Sequence, residues 1–367
     1  MVAGPAQDVY LLILSRLGLW VLETTPFLEE SKMKRKMNEV LRVASGLVIF
    51  MLLMPVQASP EVFPEDGRVI RFIVPNPPGG GMDLYPRTLA PFLKKYLPWK
   101  KGEIVVENVV GAGGFTGTRE IFFSKPDGYT IGIIMMRVAL IPQIMGQVAK
   151  FDSSQFTFLG QFNNFPLVVF TNGRHPFLRS FSDFKNPARP LTFGMDIASV
   201  PTYWLFKEKM RLNVKAILGY QGAPQVRLAL LKGEIDFEST EFSSIASLVK
   251  AGDLKLLFHL GDKPLDVAAG FPSIIDLGYD QEFAGKISTD RNIVGPPEIP
   301  KDRVEILEKA IWQALNDPQY IELSQKAGRI LNVQNGENTR KICIDNVKFW
   351  SKYGDDIKDE MKKIGYR

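Results

Sequence analysis

Cysteine and histidine are nearly absent from this 367-residue chain. The single cysteine, Cys343, cannot form an intrachain disulfide, and one thiol cannot build a thiolate metal site. The two histidines, His175 and His259, leave little material for a zinc hydrolase or a histidine-based catalytic triad. We therefore expect neither a metal site nor a bound cofactor.

Clustered charge is also missing. The formal net charge is +5 and the pI about 9.0, but the lysines and arginines are spread along the chain. This pattern does not indicate nucleic acid as a partner, and it fits a small anionic ligand. Tandem repeats, low-complexity tracts and long linkers are absent, and the 45% hydrophobic content is enough for the cores of two ordinary domains.

Common catalytic and nucleotide-binding motifs are lacking as well. The glycine loop Gly79–Gly81 is followed by Met82 and Asp83, whereas a Walker A motif needs a lysine and a hydroxyl there. A second loop, Gly111–Gly117, approximates a dinucleotide fingerprint but has the wrong final spacing and follows the second predicted strand. No G-x-S-x-G nucleophile motif occurs. A secreted α/β hydrolase or transferase therefore remains only as an alternative.

The N-terminal region is typical of a secretory signal peptide. A basic run at residues 34–36 precedes an apolar run, Val43–Val56, and Val56-Gln57-Ala58 then gives small residues at the two positions that a signal peptidase reads. The apolar run has about 14 residues, fewer than the roughly 20 that span a bilayer, so a membrane anchor is the weaker alternative. We expect cleavage near Ala58 and a periplasmic protein.

Residues 1–32 precede a plausible signal-peptide start. Translation is expected to begin at Met33 or Met37, and residues 1–58 are excluded from the predicted fold. Whether residues 1–32 form a translated extension stays open.

Strand and helix patterns alternate in the remaining chain. The first predicted elements are, in order, Val69–Val74, Leu84–Leu97, Glu103–Glu107, Thr116–Phe123 and Tyr129–Met136. A second strand-and-helix set follows, and 302–363 is mostly helical. This order predicts an α/β protein with two lobes, a mostly parallel sheet in each lobe, and a ligand cleft between the lobes.

Both glycine loops follow a strand and open a helix. Each therefore presents backbone N–H groups at a helix N-terminus, which is an arrangement that binds small anions. The alternative is that the glycines only make tight turns.

Three ordered motifs resemble those of one known family. IRFIVPNPPGGGMD, VVENVVGAGGFTG and KPDGYTI are similar to motifs of the extracytoplasmic solute-binding receptors of tripartite tricarboxylate transporters, the Bug family. The resemblance extends over residues 65–365. It implies a type II-like periplasmic-binding-protein fold with lobe 1 at 59–135 and 257–367 and lobe 2 at 136–256. It also implies a monomer that passes a small organic anion, a di- or tricarboxylate, to membrane permease subunits.

The resemblance also implies a set of ligand-binding residues. Backbone amides of the two loops would contact a carboxylate, at Gly79, Gly80, Gly81, Gly111, Ala112, Gly113 and Gly114. Asp83 would orient the first loop or meet a ligand amino group, unless it is an ordinary acid at a helix N-terminus. The family usually has an aromatic residue where this chain has Asn76. On the second lobe, Ser199 and Thr202 keep hydroxyl character, and Thr240 aligns with a pocket acid or amide.

Arg137 stands where the family has a segment rich in glycine and hydroxyl residues. Its forked donors suit a second ligand carboxylate, held by two parallel hydrogen bonds. The alternative is that Arg137 faces solvent or pairs with Asp196 or Glu241. Tyr203, Trp204 and Tyr220 form an aromatic wall of the pocket or, alternatively, part of the core. A receptor that signals without transport is a further alternative that the sequence leaves open.

Overall fold

The computed structural model describes residues 62–147, 150–220 and 222–366. The predictions for the signal peptide, the cleavage site and the start of translation fall on residues 1–58 and lie outside the described residues. Among the described residues, no helix has the length and apolar character needed to cross a bilayer.

Strands and helices alternate along the described chain, and the predicted α/β class is confirmed. The strands are β1 (Val69–Val74), β2 (Glu103–Asn108), β3 (Thr130–Ile134), β4 (Thr157–Pro166), β5 (Val168–Asn172), β6 (Leu191–Gly194), β7 (Val214–Ile217), β8 (Phe237–Thr240), β9 (Leu254–His259), β10 (Ser288–Gly295) and β11 (Gln334–Asn335). The α-helices are α1 (Gly81–Tyr96), α2 (Phe115–Phe122), α3 (Met136–Ile144), α4 (Phe181–Lys185), α5 (Val200–Trp204), α6 (Ala223–Lys232), α7 (Ala246–Lys250), α8 (Lys301–Leu315), α9 (Pro318–Lys326), α10 (Gly336–Ser351) and α11 (Gly354–Lys363).

Helix ends follow ordinary capping chemistry. Ser180 and Asp183 form a capping box at the start of α4. Asp317 caps α9 by accepting from the backbone N–H of Gln319, and α6 ends at Gly233 in the left-handed conformation. These local signals place the helices independently of the sheets.

The strands form two sheets. The first sheet has six strands in the order β11-β4-β10-β3-β1-β2, and the second has five in the order β7-β6-β8-β5-β9. In the first sheet β1 runs parallel to β2 and β3, whereas β10 is antiparallel to both β3 and β4. In the second sheet β6 runs parallel to β7 and β8, whereas β5 is antiparallel to β8 and β9.

The predicted parallel pairing holds among β1, β2 and β3 and among β6, β7 and β8, and the remaining pairings make both sheets mixed. Apart from the short β11, which is antiparallel to β4, the antiparallel pairings involve β5 and β10, each of which enters its sheet from the other one. Such a strand follows a crossover between sheets rather than a β-α-β unit, so nothing fixes it in the parallel direction.

The chain changes sheets twice. Leu167 alone separates β4, in the first sheet, from β5, in the second, and the chain returns between His259 and Ser288. The predicted lobe boundaries at 136 and 257 stay predictions, although β4 pairs within the first sheet.

Strand β10 is the central connection of the first sheet, and the sequence did not reveal it. All eight of its residues are buried. It lies between β3 and β4, so both of its edges are paired. The polar run Ser288–Asn292 hides the strand, because it lacks the apolar character expected of a buried strand.

Candidate functional site

The first glycine loop connects β1 to α1. The Gly79–Gly81 stretch is exposed, and α1 starts at Gly81 without a side-chain cap. Within the described chain, the backbone N–H groups of Gly80, Gly81 and Met82 donate to no acceptor. Three free donors at the start of a 16-residue helix can bind a negative charge.

Asp83 fixes the shape of this loop. Its carboxylate accepts from the Gly79 N–H at 2.8 Å, from Arg87 at 2.9 Å and from Asn108 at 2.8 Å. Burial raises the pKa of Asp83, but these hydrogen bonds outweigh it and the net pKa is lowered. The residue as a whole is 1% exposed. Its contacts support the loop-orienting role over contact with a ligand amino group.

The second glycine loop lies between β2 and α2 and faces the second sheet. A Cβ on Gly113 would come within 2.5 Å of Ile197 Cγ2, on the segment that follows β6. A Cβ on Gly114 would lie 3.6 Å from Val138 Cγ1, next to Arg137 on α3. The loop thus touches both α3 and the opposite lobe. Ala112 completes it with a φ of 46°, in the left-handed region that is costly for a residue with a Cβ.

Asn76 borders both loops. Its backbone carbonyl accepts from Asn108 at 2.8 Å, and its side-chain Oδ1 lies 3.7 Å from the position a Cβ would take on Gly114. This Oδ1 is enclosed and has no hydrogen-bond partner in the described part of the chain. An enclosed acceptor without a donor can accept a hydrogen bond from a ligand or from a water molecule.

Arg137 lies in the first turn of α3, with its charge incompletely balanced. One guanidinium nitrogen donates to Thr289 Oγ1 at 3.1 Å, and Nε is enclosed without an acceptor in the described residues. Burial lowers the pKa of Arg137, and the carboxylates that oppose this are Asp196, Asp290 and Glu241. None of these described carboxylates forms an ion pair with Arg137 within 4.0 Å.

The pairing of Arg137 with Asp196 or Glu241, which the sequence left open, therefore does not occur in the described structure. Asp196 instead caps the Ile197–Ser199 turn by accepting from the Ser199 N–H. Glu241 pairs with a different arginine.

That second arginine, Arg291 on β10, was not predicted. Its guanidinium binds both oxygens of Glu241, one of them at 2.7 Å, and donates to Asn163 at 3.1 Å. It also lies 4.9 Å from the ring centroid of Tyr85. Arg291 and Glu241 are both buried. This pair joins the first sheet to the end of β8 in the second.

The pair lies against the first glycine loop. A Cβ on Gly81 would come within 3.0 Å of Arg291 Nη2 and 3.9 Å of Glu241 Oε1. Glycine at this position leaves room for the guanidinium.

Strand β10 positions these charges through consecutive residues. Thr289 accepts from Arg137, and Asp290 accepts from the N–H of Met136 at 3.1 Å, the first residue of α3. Burial raises the pKa of Asp290, although this hydrogen bond and one from Asn292 oppose the rise. Asp290 thus holds the helix that carries Arg137. No local sequence signal identifies this strand, because the polar run at its start lacks the apolar character expected of a buried strand.

The predicted hydroxyl residues of the second lobe have different surroundings. Ser199 donates to Asp196 at 2.6 Å, and Thr240 Oγ1 lies 3.4 Å from Ser244 Oγ. Thr202 is fully buried, and its Oγ1 has no partner among the described residues. Their role in ligand binding stays a prediction.

The three residues of the predicted aromatic wall differ in burial. Tyr203 and Trp204 are 2% and 0% exposed and pack in the core, Tyr203 stacked on Phe193 with centroids 6.5 Å apart. Tyr220 is partly buried and packs on the second-lobe core. Tyr203 and Trp204 therefore support the alternative of core residues.

Metal ligands do not gather in the part of the chain that the structure describes. No group of three or more His, Cys, Asp or Glu side chains there could hold a metal ion.

Comparison with known proteins agrees with this architecture. A model of the family described as "Tripartite tricarboxylate transporter family receptor" matches residues 87–358, a range that includes the second loop and Arg137 but begins after the first loop. BugT of Bordetella pertussis is 25% identical over 323 residues, which cover 84% of this chain and 95% of BugT.

Solved structures show the same fold. The periplasmic binding protein BugD is 22% identical, with a TM-score of 0.60, over 82% of this chain and 99% of BugD. Rpa4515 of R. palustris, solved with adipate, is 17% identical, with a TM-score of 0.67, over 81% of this chain and 98% of its own. These likenesses confirm the predicted two-lobed periplasmic-binding-protein architecture. With the family match over most of its length, this chain belongs to the solute-binding receptors of the tripartite tricarboxylate transporter family.

Proposed function

We propose that this receptor captures a small organic carboxylate between its two lobes and presents it to membrane permease subunits. The observation that carries the proposal is the part-buried guanidinium of Arg137, which among the described residues has one neutral partner, Thr289, and an enclosed Nε without an acceptor.

An arginine in this position favours an anion for a physical reason. The guanidinium stays protonated, so burial leaves a full positive charge that the described structure does not neutralise within ion-pair distance. A ligand carboxylate would supply the missing charge and accept two parallel hydrogen bonds. The gain is large because the donors are already held in place by β10 and α3.

The second glycine loop supports the same ligand class. It lies beside α3, with Gly114 close to Val138, so its backbone donors and Arg137 belong to one side of the cleft. Rpa4515, which shares the fold, was solved with adipate, itself a carboxylate.

Binding in this proposal involves no chemistry. Cys343 is buried, and burial raises its pKa well above the usual value, which disfavours a reactive thiolate. His175 is held by Asp236 at 3.0 Å, and His259 is buried in the second sheet with its pKa lowered by burial. Ligand binding instead shifts an open–closed equilibrium, and the closed form is what the permease recognises.

The proposal includes a periplasmic location. Residues 1–58 have the signal-peptide pattern, and the matched family consists of transporter receptors. The mature protein would then begin near Ser59 and act as a monomer.

The test is ligand binding by wild type and by Arg137→Gln. The protein is unfolded and refolded to remove any copurified ligand, then screened by thermal shift against small carboxylates and amino acids. A ligand at 100 times its Kd adds about 2.7 kcal/mol to the free energy of unfolding, a shift of several degrees. We expect Arg137→Gln to lose the shift.

The matched control is Arg119→Gln, which removes the same charge from an exposed arginine on α2. It should bind as wild type does. Equal binding by wild type and Arg137→Gln would refute the role of Arg137, and binding of no carboxylate by any of the three proteins would refute the ligand class.

A further inference from the structure

We propose that Glu241 is a specificity-determining residue. Its carboxylate, bound to Arg291, fills one of two anion positions in the cleft and restricts the receptor to ligands that carry a single carboxylate. This inference rests on the proposed function and narrows its ligand class.

Two guanidinium groups are connected to strand β10. Arg291 lies on β10, and Arg137 is bound to Thr289, two residues earlier on the same strand. Side chains two residues apart on a strand point to the same face, so both groups serve the same side of the sheet. Each charge is close enough to affect the other.

The charge of Arg291 is already balanced. Two of its nitrogens bind the two oxygens of Glu241, and one of these also donates to Asn163 at 3.1 Å. Its face covers the Tyr85 ring. Among its nitrogens only Nε lacks an acceptor in the described residues. Arg291 therefore has no geometry left for the two parallel bonds that a ligand carboxylate forms.

The carboxylate of Glu241 lies where an anion would otherwise bind. It is next to Gly81, at the start of α1, and this helix end carries a partial positive charge from its free N–H groups. A ligand carboxylate approaching this end would meet a buried negative charge, and the low polarity of the interior makes that repulsion strong.

Arg137 is the counterpart at the other end. No described carboxylate pairs with it, and the second glycine loop lies beside it. The one carboxylate of the ligand binds here, and the part of the ligand that faces Glu241 is uncharged. A ligand with a single carboxylate differs from the di- or tricarboxylate that the sequence resemblance implies.

The experiment compares dicarboxylates with their half-amides by calorimetry at pH 8. The pairs are succinate and succinamate, glutarate and glutaramate, and adipate and its monoamide. Each pair differs by one charge at nearly constant shape. We expect wild type to bind the half-amide about tenfold or more tightly than the matching dicarboxylate, the size typical of a close charge pair.

Glu241→Gln frees Arg291 while keeping the side-chain shape. We expect it to reverse the preference, so that the dicarboxylate binds about tenfold or more tightly than the half-amide. The control is Glu238→Gln, three residues earlier, which removes a buried carboxylate paired with Arg227 rather than Arg291. Its preference should match wild type.

The outcomes separate the role of Glu241 from the proposed function. Wild type binding a dicarboxylate as tightly as its half-amide would overturn the role of Glu241 and leave the proposed function standing. Glu241→Gln weakening both members of a pair equally would also overturn it, because Glu241 would then only hold the lobes together. If Glu241→Gln does not fold, the wild-type ratio alone decides. Absence of binding for every ligand and protein would instead overturn the proposed function.

Discussion

Arg291 and Arg137 are both connected to strand β10 but differ in how their charge is balanced. Among the described residues, Arg291 is surrounded by a carboxylate, an amide oxygen and an aromatic ring, whereas Arg137 donates to one hydroxyl. A buried charge with all its partners is part of the fold, and losing a partner destabilises the protein. A buried charge without a counter-ion costs stability until a ligand supplies one. The difference separates a structural arginine from a binding arginine.

The largest expected effect comes from breaking the balanced pair. Arg291→Met leaves the Glu241 carboxylate buried without its counter-ion, and we expect a loss of about 3–5 kcal/mol in the free energy of unfolding, measured by urea denaturation. The double variant Arg291→Met with Glu241→Leu should recover most of this loss, because both charges are gone. A loss below about 1 kcal/mol in the single variant would show that the pair is exposed to water in solution.

A third arginine, Arg227, belongs to a buried ion pair whose effect on stability should depend on pH. It pairs with Glu238 at 2.7 Å, yet burial dominates and raises the pKa of Glu238 to about 7 from its usual 4.5. The folded state then binds the Glu238 proton more tightly than the unfolded state does. The contribution of Glu238 to the free energy of unfolding is therefore lost as pH rises from about 4.5 to 7. The expected loss is about 3 kcal/mol, at 1.36 kcal/mol for each unit of pKa.

The measurement is the free energy of unfolding of wild type and Glu238→Gln between pH 4.5 and 8. The difference between the two proteins should change across this range in favour of the variant. A constant difference would mean that Arg227 keeps Glu238 ionised throughout.

The unbalanced arginine should respond in the opposite way to the balanced one. Arg137→Met is expected to leave stability unchanged or raise it by about 1 kcal/mol, because it removes a buried charge without a counter-ion. Ligand affinity should fall by about 1.5–3 kcal/mol, the value of hydrogen bonds to a charged group. Denaturation and calorimetry on one preparation measure both quantities. A stability loss like that of Arg291→Met would place Arg137 among the structural arginines.

The smallest expected effect distinguishes the two glycine loops. Gly113→Ala puts a Cβ 2.5 Å from Ile197 at a φ of 64°, so we expect a loss of about 1–2 kcal/mol in stability. Gly80→Ala is the matched control: its φ is −81°, a Cβ there makes only an ordinary 3.8 Å contact with the Pro77 carbonyl oxygen, and it should fold as wild type does. Equal stability of the two variants would mean that the second loop does not touch the opposite lobe in solution.

Local features of this protein were predictable from sequence, and long-range ones were not. Gly79–Gly81 and its neighbour Asp83 lie within one strand-loop-helix unit, where spacing alone places them at a helix N-terminus. The pairing of Arg291 with Glu241 joins residues 50 positions apart on different sheets, and no local pattern encodes it. The reversed directions of β5 and β10 were missed for the same reason, because each depends on where the chain crosses between sheets.

The sequence identified some individual site residues and missed others. Arg137 was identified because it replaces small residues that the family resemblance led us to expect. Asp290 and Arg291 were missed because their strand has too few apolar residues to be recognised, although their side chains are buried.

The two crossings between sheets also set an order of folding. The strands of the second sheet occupy one continuous stretch, Val168–His259, whereas the first sheet needs β10 and β11 from beyond it. Since closing a long loop costs more chain entropy than closing a short one, we expect the second sheet to form before the first is complete. Arg291 reaches Glu241 only when β10 inserts between β3 and β4. The ion pair that shapes the cleft is then one of the last contacts made, and a chain that has it has finished both lobes.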